Sequence, residues 1–175
     1  MTECCHVDYT TRQHAVKLKK EKHTAAGAVL TDLIIPTIQL EAHFSRAGEA
    51  VAATAGQTLA RWLALEMVAD QPATVAQVAR GLALTRQSVQ RIADLLEEDG
   101  LAEYADNPDH QTSKLVRLTP RGRRTLRTIQ TAQRSWANSV GAKIGEANLR
   151  QARRVVDQLT QVLVEDSRSA RQWGG

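Results

Sequence analysis

Aromatic residues and cysteines are scarce in this chain of 175 residues. Phe, Trp and Tyr together make up 3% of it, too few for the stacking platforms on which proteins bind single-stranded nucleic acids. The two cysteines, Cys4 and Cys5, are neighbours, and the chain has no other thiol that could pair with either of them. A structural disulfide framework is therefore excluded.

Long apolar runs are also lacking. No stretch approaches the roughly 18 apolar residues that a helix needs to cross a bilayer. Residues 11–23 are largely polar and basic, which does not fit the apolar centre of a signal peptide. We expect a soluble, cytoplasmic protein without a membrane partner.

Sequence signatures of catalysis are missing as well. The chain has no Gly-rich phosphate loop, no His-Glu metal motif and no nucleophile elbow. Its five histidines are scattered along the sequence. We therefore expect the protein not to be an enzyme, and we expect no metal or other cofactor.

The charge that is present is mildly basic. Lys and Arg number 23 against 19 Asp and Glu, which gives a formal net charge of +4. This excess fits a local basic surface better than a protein that binds polyanions over its whole surface. The length allows one substantial core with additional helices.

The first half of the chain predicts an arm followed by helices. We expect residues 1–23 to form a flexible, basic N-terminal arm. Residues 24–56 have apolar positions at three- and four-residue steps, and Pro36 predicts a kink or a break there. A second helix is expected over residues 57–69. Thr74 and Gln77 then have the spacing of a capping box, which predicts a short helix ending at a turn supplied by Gly81.

Residues 84–91, Leu-Thr-Arg-Gln-Ser-Val-Gln-Arg, are the most informative stretch. Thr85 predicts the start and Gly100 the end of a helix over residues 85–99. Its apolar residues share one sector, and the polar ones point elsewhere. Guanidinium and amide groups suit base edges and phosphates. We therefore predict a DNA recognition helix, with contacts from Arg86, Gln87, Ser88, Gln90 and Arg91.

A β-hairpin is predicted directly after this helix. Residues 101–105 and 114–118 are typical of strands, and the turn formers between them are polar. A hairpin at this place is a wing, so residues 57–119 form a winged helix-turn-helix. Lys114 and Arg117 of the wing can reach phosphates, as can the caps formed by Thr74 and Thr85.

The last part of the chain predicts helices over residues 120–165, followed by a polar tail over residues 166–175. Thr119 and Pro120 supply a cap and a first-turn proline. Further on, apolar residues recur at strict helical steps and need a partner surface: Leu149, Ala152, Val155, Val156, Leu159, Val162 and Leu163. The predicted fold class is mainly α with a small β-hairpin wing.

Two stretches carry a family resemblance. Residues 84–101 read Leu-Thr-Arg-Gln-Ser-Val-Gln-Arg-Ile-Ala-Asp-Leu-Leu-Glu-Glu-Asp-Gly-Leu, and residues 107–122 run from Asn-Pro-Asp to Lys-Leu-Val-Arg-Leu-Thr-Pro-Arg-Gly. With both at this separation, the chain resembles the MarR family of bacterial transcriptional regulators over residues 30–163. The resemblance implies a homodimer in which residues 24–56 and 120–165 are intertwined dimerisation helices.

The resemblance also implies a function. The two recognition helices of the homodimer would enter successive major grooves of double-stranded DNA at a palindromic operator. In this family the regulator is most often a repressor, and a small, often aromatic or phenolic effector releases it from DNA. An effector pocket near the dimerisation helices would involve His43, Arg46, Trp62 and Glu66, although core packing explains Trp62 and solvation explains the others equally well.

Two departures from the family pattern leave other readings open. The family's wing usually carries an Asp-x-Arg motif, and the matching positions here are His110 and Thr112. Leu95 stands where the family often has arginine. Both changes remove positive charge, so one alternative is a dimeric ligand-binding or protein-interaction module with weakened or lost DNA binding. A thiol sensor at Cys4 and Cys5 is a third reading, but with His6 they lack the usual ligand spacing.

Overall fold

The computed structural model describes residues 23–108 and 113–172 of the chain. Those residues form six helices and three short strands in the following order: α1 (Ala25–Ala53), α2 (Leu59–Met67), β1 (Ala73–Thr74), α3 (Val75–Gly81), α4 (Arg86–Glu98), β2 (Ala102–Ala105), β3 (Leu115–Leu118), α5 (Pro120–Ile144) and α6 (Glu146–Gln172). The mainly α fold with a winged helix-turn-helix and additional terminal helices is confirmed.

The first of two compact units ends at His43, within α1. Its large apolar side chains are 41% to 61% exposed: Val29, Leu30, Leu33, Ile34, Ile35, Ile38 and Leu40. α1 continues through Pro36, so the chain does not break there, although Pro36 has no N–H to donate to the preceding turn. Contrary to the sequence expectation, α1 is long and apolar enough, by length and composition alone, to cross a membrane. A core helix of a soluble protein meets the same criterion.

The second unit, Phe44–Gly175, holds the main core. Leu65 of α2, Leu96 and Val89 of α4, and Ile129 of α5 are almost completely buried. Burial of a side chain of this size stabilises the fold by about 1.5–3 kcal/mol. Because the apolar face of α4 is fixed in this core, as the sequence predicts, its polar face is directed outward.

The strands form one antiparallel sheet in the order β1-β3-β2. In β2 and β3, Glu103 lies opposite Arg117 and Tyr104 lies opposite Val116. The predicted hairpin is therefore present, although residues 109–112 at its tip lie outside the described residues. The sequence reading missed β1, which has only two residues and leads directly into the capping threonine of α3.

Threonine side chains precede five of the six helices. The Oγ1 atoms of Thr24, Thr58, Thr74, Thr85 and Thr119 each accept a hydrogen bond from the backbone N–H three residues later. At Thr74 the capping box is complete, because the Gln77 side chain accepts from the Thr74 backbone N–H at 2.7 Å. The caps predicted at Thr74 and Thr85 are confirmed, and they fix where α3 and α4 begin.

Two boundaries differ from those predicted. Gly81 does not form the turn after α3: it is the last residue of that helix, and the positive φ of the turn, +54°, belongs to Ala83. Gly81 instead gives room to Met67, whose Cε would lie 2.3 Å from a Cβ at that position. α6 continues to Gln172, beyond the start of the tail expected at residue 166.

Candidate nucleic-acid interface

The polar face of α4 is exposed at every position expected to contact DNA. Thr85 caps this helix through a 3.1 Å hydrogen bond from the Ser88 backbone N–H, and the two hydroxyl oxygens lie 2.8 Å apart. Arg86, Gln87 and Gln90 follow within two turns of the helix. The first turns of α4 therefore present hydroxyl, guanidinium and amide groups on one surface.

A cleft of ≈ 710 Å³ brings three segments of the chain together at this surface. It lies between the start of α3, the first turns of α4 and the strands of the wing, and its lining residues are Thr74, Val75, Ala76, Arg86, Gln87, Gln90, Tyr104, Ser113 and Lys114. Five residues selected from the sequence (Thr74, Arg86, Gln87, Gln90 and Lys114) are thus neighbours in space. We call this concavity the α4 cleft.

The other side of the α4 polar face borders a second concavity, of ≈ 460 Å³. Its lining residues are Gln87, Ser88, Gln90, Arg91 and Asp94. Gln87 and Gln90 line both concavities, so they lie along the crest of the helix. This ridge with a depression on each side has the form expected of an element that enters a groove.

Three cations of this surface are available to an outside partner. Within residues 23–108 and 113–172, the side chains of Arg86, Arg91 and Lys114 make no hydrogen bond or ion pair. Cations without an internal partner suit phosphate oxygens and the acceptor atoms of guanine. This surface thus holds three cations, and the carboxylate of Asp94 lies beside Arg91 at its edge.

Arg117 does not join this group. Its Nε donates to Glu103 Oε1 at 2.9 Å across the β2–β3 pair. Strand alternation puts this pair on the face of the sheet opposite Tyr104 and Val116. Arg117 therefore does not line the α4 cleft, in contrast to Lys114.

A hydrogen-bonded triad connects α4 to the wing. The Tyr104 hydroxyl donates to Asp94 Oδ1 at 2.7 Å. Gln90 Nε2 donates to the same carboxylate oxygen at 2.8 Å and to Tyr104 Oη at 2.7 Å. Partial burial, together with the adjacent Asp94 carboxylate, raises the pKa of Tyr104 well above its ordinary value. Tyr104 was not among the predicted site residues, because its only sequence signal is a single aromatic residue in the strand after the recognition helix.

The C-terminal end of α4 is also held. Asp99 caps the helix, its carboxylate pairs with Arg61 of α2, and its carbonyl oxygen accepts from Arg121 Nη1 of α5 at 2.9 Å. Bonds from two other helices therefore fix the orientation of α4 relative to the core.

Two of the four residues expected near an effector pocket, Trp62 and Glu66, are neighbours in the second unit. Trp62 lines a cavity of ≈ 170 Å³ together with Phe44 and Trp136, whose rings meet edge to face at 6.2 Å. Glu66 accepts from Trp62 Nε1 at 3.0 Å but, like Arg46, does not line this cavity. His43 belongs to the other compact unit. The cavity is below the roughly 300 Å³ from which ligand pockets usually start.

The remaining candidates are metal ligands, the two cysteines and the tip of the wing. Among residues 23–108 and 113–172, no group of three or more His, Cys, Asp or Glu is arranged to hold a metal ion. Cys4, Cys5 and His6 lie outside those residues, as do His110 and Thr112 at the tip of the wing.

A family model and solved structures give the same family. A model of the MarR family matches residues 55–111. The Mycobacterium tuberculosis protein Rv2011c is 50% identical over 97 residues, which are 55% of this chain and 68% of that protein.

Solved structures extend the likeness to about four fifths of the chain. The MarR family transcription regulator SP03579 is 24% identical with a TM-score of 0.70, over 82% of this chain and 98% of that one. Staphylococcus aureus MarR in complex with salicylate and kanamycin is 18% identical with the same TM-score, over 79% of this chain and 94% of that one. Because both identities are below 25%, these two structures establish a similar fold and not a shared function.

Proposed function

The chain belongs to the MarR family of transcription regulators, and we propose that it is a homodimer that binds a palindromic operator in double-stranded DNA. The observation that carries this proposal is the α4 cleft, where Thr74, Lys114 and the polar face of α4 meet. Three unpaired cations lie on or beside it. Such a surface suits a duplex in which α4 enters the major groove.

Each group in this surface has a role on DNA. Arg86 and Arg91, together with Gln87 and Gln90, extend from the crest of α4 and reach base edges or the flanking phosphates. Thr74, Thr85 and Ser88 lie at helix N-termini, where hydroxyls and backbone N–H groups bind phosphate oxygens. Lys114 approaches the phosphate backbone from the wing. Arg117 is paired with Glu103 on the opposite face of the sheet and adds no phosphate contact.

Two apolar surfaces support the homodimer. Val29, Ile35 and Ile38 of α1 are 59% to 61% exposed, and Val156 and Leu163 of α6 are each 57% exposed. Exposed apolar rows of this length are typical of surfaces that a partner covers. A second copy of the chain covers both in the proposed dimer, with a two-fold axis that spaces the two α4 helices by about one DNA turn, roughly 34–36 Å.

Effector release is the regulatory part of the proposal. The salicylate in the Staphylococcus aureus MarR structure is a small aromatic acid, and the edge of the core here has the aromatic side chains Phe44, Trp62 and Trp136 around one cavity. A small aromatic ligand that enlarges this cavity would favour a spacing of the α4 helices that does not fit DNA. By linkage it would then lower operator affinity and relieve repression.

The deciding experiment selects bound fragments from the protein's own genome and then titrates salt against the selected site. We expect a palindromic site and a steep fall of affinity with salt. Arg86→Ala and Arg91→Ala should each weaken binding by about 1–3 kcal/mol if the arginine contacts a base. Arg154→Ala, which removes an exposed arginine from α6, is the matched control and should leave affinity unchanged.

The same experiment tests the alternative of a ligand-binding or protein-interaction module. Leu95, 42% exposed on α4, supports this alternative because an apolar residue there adds nothing to phosphate binding. No sequence selection and no binding at low salt would overturn the regulator and favour the module. Equal affinity of the two arginine variants and the parent would remove those residues from the interface.

A further inference from the structure

The triad of Gln90, Asp94 and Tyr104 restricts what the recognition helix can read. A glutamine amide offers two N–H donors and one carbonyl acceptor. In this chain the amide nitrogen Nε2 of Gln90 faces into the protein, where it donates to Asp94 Oδ1 at 2.8 Å and to Tyr104 Oη at 2.7 Å. The carbonyl oxygen, Oε1, is the remaining group on an exposed side chain that lines both concavities of α4.

The chemistry of the partners fixes this orientation of the amide. An ionised aspartate only accepts hydrogen bonds, so Asp94 must face Nε2 rather than Oε1. The Tyr104 hydroxyl gives its single proton to Asp94 at 2.7 Å, so towards Gln90 it can only accept. Both neighbours therefore require a donor, so Nε2 of Gln90 must face them. A flipped amide would instead place Oε1, which is itself an acceptor, against these two acceptors.

We propose that Gln90 reads its base as a hydrogen-bond acceptor only, and that Asp94 and Tyr104 are positioning residues that impose this reading. In the major groove, donors to such a group are the exocyclic amines, N4 of cytosine and N6 of adenine, whereas guanine and thymine offer acceptors. The bidentate contact of glutamine with adenine N6 and N7 needs an N–H that is turned to the base, whereas Nε2 is turned to Asp94 and Tyr104 here. This inference rests on the proposed binding of DNA through α4.

The strand that carries Tyr104 holds the triad in place. Its strand, β2, is paired with β3 at Val116, so the hydroxyl is carried by the sheet and not by a flexible loop. A tyrosine hydroxyl is protonated in the neutral range, and the raised pKa of Tyr104 keeps it a donor to Asp94 further into the alkaline range. Gln90 also loses less side-chain freedom on binding, because the triad already restrains it.

The test is selection from a duplex library in which each half-site is randomised, with the full-length parent, Gln90→Ala and Tyr104→Phe. The parent should prefer cytosine or adenine over guanine and thymine at one position of each half-site, by on the order of 5- to 150-fold for a good contact. Gln90→Ala should lose the preference at that position alone. Tyr104→Phe removes one of the two acceptors that hold Nε2, so the amide can turn an N–H to the base and the variant should newly accept guanine there or shift the preference to adenine.

The outcomes separate this inference from the proposed function. If the parent selects no sequence, the proposed function fails. If the parent selects an operator but prefers guanine or thymine at the position that Gln90→Ala erases, acceptor-only reading is overturned. It is also overturned if Tyr104→Phe leaves every base preference unchanged, or lowers affinity equally for all sequences as a merely structural change would. Gln90→Ala alters an exposed side chain, so it reports on base preference even if Tyr104→Phe does not fold.

Discussion

A Cβ atom at Gly122 would lie 1.9 Å from the carbonyl oxygen of Leu101. That oxygen also accepts from the Thr119 backbone N–H at 3.1 Å, so the first turn of α5 is held tightly against the chain that leaves α4. Glycine at this position lets α5 begin where the wing ends, and it thereby ties the wing to the core.

Gly122→Ala should destabilise the protein. The added methyl group meets backbone, which cannot rotate away as a side chain can, so we expect a loss of at least about 1–3 kcal/mol. Urea unfolding followed by circular dichroism measures this loss. The matched control is Gly141→Ala in the same helix, where a Cβ would meet Leu149 Cδ1 at an ordinary 3.8 Å. It should be neutral or stabilise by about 0.5–1 kcal/mol, and an equal loss in both variants would contradict the close contact.

Thr85→Ala should lower stability by about 1 kcal/mol, because the Ser88 N–H at the start of α4 then has no side-chain acceptor. Thr85→Ser keeps the oxygen and should stay close to the parent. The free energy of unfolding in urea, measured without DNA, separates this capping role from any contact with phosphate. If the alanine variant were as stable as the serine variant, the cap would not contribute measurably.

The sequence carried enough information for the elements of the main core. α4 was predictable because its capping threonine, its apolar sector and the glycine after it all indicate the same helix. The local preference for a helix and the packing of that helix in the core coincide there. The capping box was predictable because the spacing of Thr74 and Gln77 is a sequence signature of a helix N-terminus. The hairpin followed from two short strand patterns around turn formers.

What the sequence could not supply depends on tertiary contacts. β1 has two residues and exists because β3 offers it a partner. Ala83 adopts a positive φ, although glycine nearby was the more favourable choice for a turn. The role of Tyr104 depends on the β2–β3 register bringing a hydroxyl within reach of α4, and no local pattern encodes such a distance.

Tyr104 should ionise at a higher pH than an ordinary tyrosine, whose pKa is about 10. Burial and the Asp94 carboxylate disfavour the phenolate, so the folded-state pKa is raised. The resulting stabilisation is complete below the unfolded pKa and is lost as pH rises through the folded one. Tyr9→Phe leaves Tyr104 as the sole tyrosine, so its phenolate absorbance can be followed alone. Ionisation near pH 10 in the folded protein would contradict the triad.

The apolar rows of α1 and α6 predict the response of the dimer to single charges. Ile38 is 59% and Leu163 57% exposed, and a charge placed at either would be buried unpaired in a covered interface. Ile38→Glu and Leu163→Glu should therefore shift the mass in analytical ultracentrifugation from twice 19.2 kDa towards 19.2 kDa. Gln158→Glu, at an exposed polar position of α6, is the control and should leave the mass unchanged. A parent that sediments as a monomer would refute the dimer.

Lys114 and Arg117 lie three residues apart on the wing but should contribute differently to DNA binding. Lys114 lines the α4 cleft, whereas Arg117 is paired with Glu103 at 2.9 Å on the other face of the sheet. Lys114→Ala should weaken binding to all sequences alike and reduce the slope of log affinity against log salt by about 1. Arg117→Ala removes the same formal charge and should leave that slope unchanged. If the two variants reduced the slope equally, overall charge rather than the geometry of the cleft would govern the interaction.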